Sequence, residues 1–236
     1  MIEIKGITKK YSKVVAVDNV LFSINDNECF ALLGLNGAGK STLINILSTG
    51  LLPTSGTATI NGFDLLGERD NIRKIINISP QESAVAKNLT VRENLELIAS
   101  LYGIENRRSK IDAIIDKFAL KEKENVQCKK LSGGQLRRVS IALAMITEPK
   151  ILFLDEPTLG LDVKSRKTLW EIIKEIKDNL TILLTTHYLE EVEFLADRIG
   201  IISRGKMQVI GSRDEIVNNC KTDNLESAFI MLTEEE

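Results

Sequence analysis

Two hydrophobic periods alternate along the chain. Residues 2–8 and 14–24 run apolar and polar by turns with a period near two, the mark of half-buried strands. Residues 57–60 continue in the same way into Asn61-Gly62, a pair that accepts the positive φ angles of a tight hairpin, so an antiparallel β layer is expected. Residues 29–33 break the alternation. They are continuously apolar, as a strand covered on both faces reads, and a glycine-rich turn follows. A helical pattern at Leu43, Ile44 and Leu47 then stops at Gly50, ahead of Pro53. The order is strand, loop, helix.

Between residues 90 and 146 the period lengthens to that of a helix. Thr90 and Glu93 have the spacing of a capping box, and Leu95, Ile98, Leu101 and Tyr102 predict one apolar stripe ended by Gly103. A second stripe follows at Ile111, Ile114, Ile115 and Phe118. Residues 121–130 are charged and predict a solvated connector. Leu136, Val139, Leu143 and Ile146 then define a helix that ends near Pro149. Beyond it come a buried strand at 151–154, a helix carrying Leu169, Trp170, Ile173 and Ile176, and a further buried strand at 182–185. A helix over 189–196, a hairpin turning at Arg204-Gly205 and two short helices around Glu215 and Phe229 complete the pattern. Glu234, Glu235 and Glu236 predict a frayed, solvated end. The expected organisation is one domain, 1–236. An α/β core with an N-terminal antiparallel β subdomain takes up 1–82 and 147–236, and a helical subdomain is inserted at 83–146.

Composition narrows the class. With 236 residues, 43% of them hydrophobic, the chain can fill a core, which excludes a disordered or fibrous protein. The 31 basic and 33 acidic residues are spread evenly and leave a net charge of -2, so no strong field exists to attract nucleic acid, and no nucleic-acid partner is expected. Cys29, Cys128 and Cys220 stand far apart beside a single histidine, His187, which argues against a disulfide framework or a zinc site and favours a reduced compartment. No targeting segment is expected at Met1, and no apolar run approaches the ~18 residues of a membrane span.

Three segments carry chemistry. Gly34-Leu35-Asn36-Gly37-Ala38-Gly39-Lys40-Ser41 fits the phosphate-binding pattern G-x-x-x-x-G-K-[ST], between an expected buried strand and an expected helix. Glycines there let backbone N–H groups converge on phosphate oxygens, and the helix N-terminus adds its positive end. Lys40 would bridge the β and γ phosphates, Ser41 would offer a hydroxyl to Mg²⁺, and Thr42 would add a phosphate contact. The strand at 151–154 runs into Asp155 and Glu156, where open α/β sheets collect ligands. Asp155 is the candidate for Mg²⁺ and Glu156 for the general base. Leu131-Ser132-Gly133-Gly134-Gln135 opens a helix with a good N-cap and two glycines, a second anion site.

In this order the motifs resemble the nucleotide-binding domain of ABC ATPases, and the resemblance covers nearly the whole chain. It places Gly160-Leu161-Asp162 at the D-loop, with Asp162 able to cap the following helix as well, and Thr186-His187 at the switch histidine. It also matches Tyr11 to the aromatic residue that stacks on adenine and Gln81, in Ser79-Pro80-Gln81, to the glutamine that contacts Mg²⁺ and its waters. The fold implied is a P-loop NTPase (RecA-like) core with an inserted helical signature subdomain. ATP and Mg²⁺ are the implied cofactors, and Glu156, His187 and Gln81 the implied catalytic set. Two domains would pack head to tail, with Ser132 and Gly134 of one closing over the γ-phosphate held at Lys40 of the other. The implied partners are a second nucleotide-binding domain and a separate membrane-spanning permease. A coupling helix of that permease would be received between about 83 and 101, which puts the chain in the cytoplasm on the inner face of the membrane. Residues 89–95, the turn 185–191 and the short end 225–232 resemble an exporter branch of the ABC-2 or CcmA-like type. The alternatives are a soluble ABC ATPase, such as one serving iron–sulfur assembly, and a nucleotide-dependent switch with little turnover. Intact Glu156 and His187 argue against the switch.

Overall fold

The computed structural model describes residues 1–234; of the expected solvated end, Glu235 and Glu236 lie outside them. The chain begins with two long strands, β1 (Ile2–Tyr11) and β2 (Val14–Ile24), paired antiparallel with Ile2 opposite Ile24 and Tyr11 opposite Val14. β4 (Ser55–Ile60) lies on the other side of β1 and turns into β5 (Phe63–Asp64), completing a four-stranded sheet of order β2-β1-β4-β5. The turn is the expected one: Asn61 and Gly62 take φ of 50° and 85°.

The second sheet has six strands. β3 (Cys29–Leu33), β6 (Ile76–Ser79), β7 (Ile151–Asp155), β8 (Thr181–Thr186) and β9 (Arg198–Ser203) are parallel, and β10 (Lys206–Gly211) returns antiparallel to β9. The order is β10-β9-β3-β8-β7-β6. Both faces are covered, which explains the unbroken apolar runs. Phe30, Leu32, Phe153 and Leu183 point into one core with the antiparallel sheet and α1 (Lys40–Leu47). Ala31, Leu33, Leu152, Leu154 and Leu184 point into a second core among helices. Those helices include α5 (Gly133–Met145), α6 (Val163–Ile176) and α7 (Leu189–Leu195), with α8 (Arg213–Cys220) and α9 (Leu225–Thr233) packed farther along. Two further helices, α3 (Val91–Leu101) and α4 (Arg107–Lys117), lie against α5.

Three local expectations need correction. The stripe on α3 does not face inward as a whole: Val91, Asn94, Leu95 and Ala99 are buried, whereas Leu101 and Tyr102 are 71% and 61% exposed. Asn94 earns its buried place by bonding, since its carboxamide donates to the carbonyls of Ala86 and Thr90 and accepts from the Ala86 amide. Residues 121–130 are likewise more than a solvated connector. Cys128 is buried, the amides of Cys128 and Lys129 donate to the carbonyls of Leu89 and Lys87, and Glu124 accepts from Arg92. Charge at exposed positions there hides an apolar anchor with no period of its own. Finally, the sequence pattern assigned nothing to β6 or to the five-residue α2 (Arg69–Arg73), both too short to carry a periodic signal.

Candidate functional site

The site forms where β3, β7 and β8 end side by side, at the carboxyl edge of the parallel sheet. From β3 the chain enters the glycine-rich loop, pinned by a hydrogen bond from the Gly34 amide to the Thr186 carbonyl. The loop closes on Gly39, whose φ of 103° is left-handed, and a Cβ there would lie 2.3 Å from the Ala16 carbonyl oxygen, so only glycine fits. Gly39 is also the N-cap of α1. It has no side chain to cap with, and α1 has no acidic residue in its first turn. The first intrahelical bond runs from the Leu43 amide to the Gly39 carbonyl, leaving the amides of Lys40, Ser41 and Thr42 ahead of it. These conditions suit an anion.

A cleft of about 340 Å³ opens over that helix end, lined by Ala16, Asn36, Gly37, Ala38, Gly39, Lys40, Ser41, Thr42, Gln81, Glu156 and Leu159. Lys40 is buried and reaches back over its own loop, donating to the carbonyls of Gly34 at 2.7 Å and Leu35 at 3.1 Å. Its Nζ is also 3.1 Å from Glu156 Oε1, and both side chains are less than a tenth exposed. The other carboxylate oxygen, Oε2, lies 2.9 Å from His187 Nδ1, close enough for an ion pair but not aligned as a hydrogen bond. Asp155 faces a different set: its Oδ1 accepts from Ser41 Oγ at 3.1 Å and from Thr185 Oγ1 at 2.5 Å. The amide of Glu156 donates to the carbonyl and hydroxyl of Thr185, both at 3.1 Å. Glu156 itself sits at φ 45°, a left-handed conformation uncommon for a glutamate and concentrated at functional sites.

The structure thus brings together Asn36 to Thr42, Gln81, Asp155, Glu156 and His187, and leaves other expected residues elsewhere. Tyr11 is 46% exposed at the β1–β2 turn with Lys9 Nζ 5.3 Å from its ring centroid, and it does not line the cleft. Leu131 to Gln135 form the tip of α5. There Ser132 Oγ accepts from the Gln135 amide and the Gln135 side chain accepts from the Ser132 amide, a complete capping box. Asp162 caps α6 by accepting from the amide and hydroxyl of Ser165, bonds that hold its carboxyl below the usual range. The two tips touch: a Cβ on Gly134 would lie 2.5 Å from Ser165 Oγ.

Two buried groups around the site carry no sequence motif that marks them. Arg137, on α5, is 4% exposed and donates to four backbone carbonyls, those of Pro80, Gln81, Asp155 and Pro157. Burial pulls its guanidinium down to about 10, against the opposing charge of Asp155 and Glu191, so it stays a cation at neutral pH. Glu191, on α7, is fully buried, and its Oε1 accepts from Thr158 Oγ1 and Trp170 Nε1. Burial holds this carboxyl above the usual range; the hydrogen bonds from Trp170 and Thr158 act the other way.

Comparison with known proteins agrees with this geometry. A family model described as "ABC transporter" matches residues 17–159. The linearmycin resistance ATP-binding protein LnrL of Bacillus subtilis is 38% identical over 229 residues, 95% of this chain and 73% of that protein. The daunorubicin/doxorubicin resistance ATP-binding protein DrrA of Streptomyces peucetius is 40% identical over 218 residues, 91% of this chain and 66% of its own length. Among solved structures, an ATP-binding subunit of an ABC transporter superposes with a TM-score of 0.88 at 29% identity, covering 99% of this chain and all of the other. The ATP-binding cassette MJ0796, solved as a dimer in a post-hydrolysis state with ADP and Pi, gives 0.81 at 28% identity over 90% of this chain and 98% of that one. With the phosphate loop, the paired carboxylates and the fold in place, the chain belongs to the ABC transporter family, as an ATP-binding, ATP-hydrolysing domain.

Proposed function

We propose that this chain is the ATP-driven motor of an exporter, working as one of two nucleotide-binding domains beneath a separate membrane-spanning permease. The observation that carries the reading is the cleft itself, where Lys40, Ser41, Asp155, Glu156 and Gln81 converge on an uncapped helix N-terminus. Two resistance ATP-binding proteins at 38% and 40% identity support export over a soluble role in cofactor assembly. Among the described residues no helix is long and apolar enough to cross a membrane, so contact with a bilayer would run through the permease. The exposed Leu97, Leu101 and Tyr102 on α3 offer that partner an apolar face.

In this reading the backbone amides of the loop and of Lys40 to Thr42 hold the phosphates, and Lys40 exchanges its loop carbonyls and Glu156 for the β and γ oxygens. Ser41 Oγ and Asp155 Oδ1, with Gln81 on the same cleft, are hard oxygen donors of the kind Mg²⁺ selects. When bound, the ion neutralises charge on the phosphates. Glu156 takes the proton from the attacking water, and His187 orients that carboxylate and donates toward the γ-phosphate. Tyr11 stacks on the adenine. Ser132, Gly133 and Gly134 cap the γ-phosphate of a second copy or a paralogue, across an interface that Asp162 also lines.

The test is ATPase activity of the chain alone and in membranes with the permease copurified on it. Turnover that requires Mg²⁺ and rises when the permease is present supports the motor; a turnover indifferent to any membrane partner refutes it.

A further inference from the structure

Two loops that line the cleft leave the adjacent parallel strands β6 and β7, and both pass through a proline. β6 exits through Pro80 into Gln81, and β7 exits through Glu156 into Pro157. Proline lacks an amide, so each exit loses a donor that could fix the loop to its neighbour. The carbonyls on these exits are instead gathered by one side chain from a third element. Arg137 Nε donates to Pro157 at 2.9 Å, Nη2 to Asp155 at 2.9 Å, and Nη1 to Pro80 and, at 3.4 Å, to Gln81. A planar fork with five donors is suited to this, and a point-like ammonium is not.

The place of Arg137 on its helix gives the contact its meaning. It sits two residues past Gln135, within the first two turns of α5, so it moves with the capped tip at Ser132 as one rigid piece. A second bond ties the same face of α5 to β6, between the buried hydroxyls of Ser79 and Ser140, 3.0 Å apart. By contrast the next cation on the helix, Arg138, donates only to the carbonyls of Phe118 and Ala119 within the helical region.

We propose that Arg137 is a positioning residue for hydrolysis, a strut that sets the Gln81 loop and the Glu156 turn at a fixed spacing and makes that spacing follow the tip of α5. The inference rests on the roles given above to Glu156 and Gln81. Its consequence is communication between sites: the tip that closes over one nucleotide would adjust, through one guanidinium, the catalytic groups around the other. Arg137 is not among the residues that line the cleft, so it is expected to act on turnover and not on ATP affinity.

Purified full-length Arg137→Lys, Arg137→Met and Arg92→Gln would be compared for kcat, nucleotide dissociation constant and melting temperature. Amide exchange over residues 79–84 would be followed in each. Arg92 is the control for lost structure, because it bonds only Asp112 and Glu124 inside the helical region. Displacing catalytic groups by a fraction of an ångström to an ångström costs about 10- to 100-fold. The expected result is that loss in kcat for both Arg137 variants, with ATP affinity within about threefold of wild type and faster exchange over 79–84. Arg92→Gln should melt earlier yet keep its kcat. Lysine is the mild variant that preserves charge, so a folded protein is available even if the methionine variant fails. The proposal is overturned if Arg137→Lys keeps kcat within twofold of wild type, if affinity and kcat fall by the same factor, or if Arg92→Gln loses as much turnover. A parallel Glu156→Gln protein separates the two claims. If it is inactive while Arg137→Lys is normal, only the strut fails; if it too is active, the catalytic assignment fails first.

Discussion

Replacing Glu156 by glutamine removes the proposed base and one half of a buried ion pair. The carboxamide has the shape of the carboxylate, Lys40 keeps the carbonyls of Gly34 and Leu35 at 2.7 and 3.1 Å, and the Glu156 amide keeps both bonds to Thr185. The lost element is one half of a buried ion pair at 3.1 Å; removing a single partner leaves Lys40 charged with only its loop carbonyls, which costs about 3–5 kcal/mol of stability in the ATP-free protein and is offset once phosphate oxygens take the place of Glu156. The chemical cost falls on the reaction barrier. General base catalysis contributes about 100- to 10,000-fold, or about 3–5 kcal/mol of barrier at 1.36 kcal/mol per tenfold. Loss of a negative charge beside the γ-phosphate should at the same time strengthen ATP binding. Single-turnover phosphate release, filter binding of ATP and gel filtration together would read all three effects. Turnover should fall by at least about 100-fold while ATP is retained and a dimer accumulates. Hydrolysis within about threefold of wild type, with ATP bound normally, would remove Glu156 from the mechanism.

Two further substitutions probe the surroundings. Gly134→Ala would place a methyl 2.5 Å from Ser165 Oγ, displacing the serine that bonds Asp162 at the cap of α6. A loss of about 1–3 kcal/mol in thermal unfolding is expected, relieved when Ser165→Gly is added; a single variant as stable as wild type would contradict the packing argument. Glu191 titrates above the usual carboxylate range because it is buried, so the folded state prefers it neutral. The stability this gives is complete below the unfolded carboxyl pKa and fades as pH rises through the folded one. Glu191→Gln, which cannot ionise, should therefore gain on wild type in melting temperature as pH goes from about 5 to 8. A difference that stays flat across that window would mean that burial does not govern this group.

Much of this architecture is legible in the chain because burial on both faces leaves largely apolar runs at 29–33, 151–154 and 182–185. The phosphate loop and the carboxylates sit at their ends. The capping box at Thr90 and the N-cap at Ser132 are equally plain, since local hydrogen bonding dictates the residue types. What the pattern hid depends on contacts far along the chain. The outward turn of Leu101 and Tyr102 reflects which side of α3 meets α5, which no count of apolar positions contains. β6 is four residues long, and none of its apolar positions identifies it. Arg137 and Glu191 read as ordinary surface charges until the fold buries them, because their partners are backbone carbonyls and neutral side chains with no charge of opposite sign nearby in sequence.

In the proposed dimer a phosphate cradle and a distant helix tip grip one nucleotide from two chains. A structure of the Glu156→Gln protein with ATP and Mg²⁺ tests this directly. The expected result is a head-to-tail pair with Ser132 Oγ of one copy within about 3 Å of a γ-phosphate oxygen held by Lys40 of the other. Residues 132–135 facing open solvent in every nucleotide-bound assembly would contradict it.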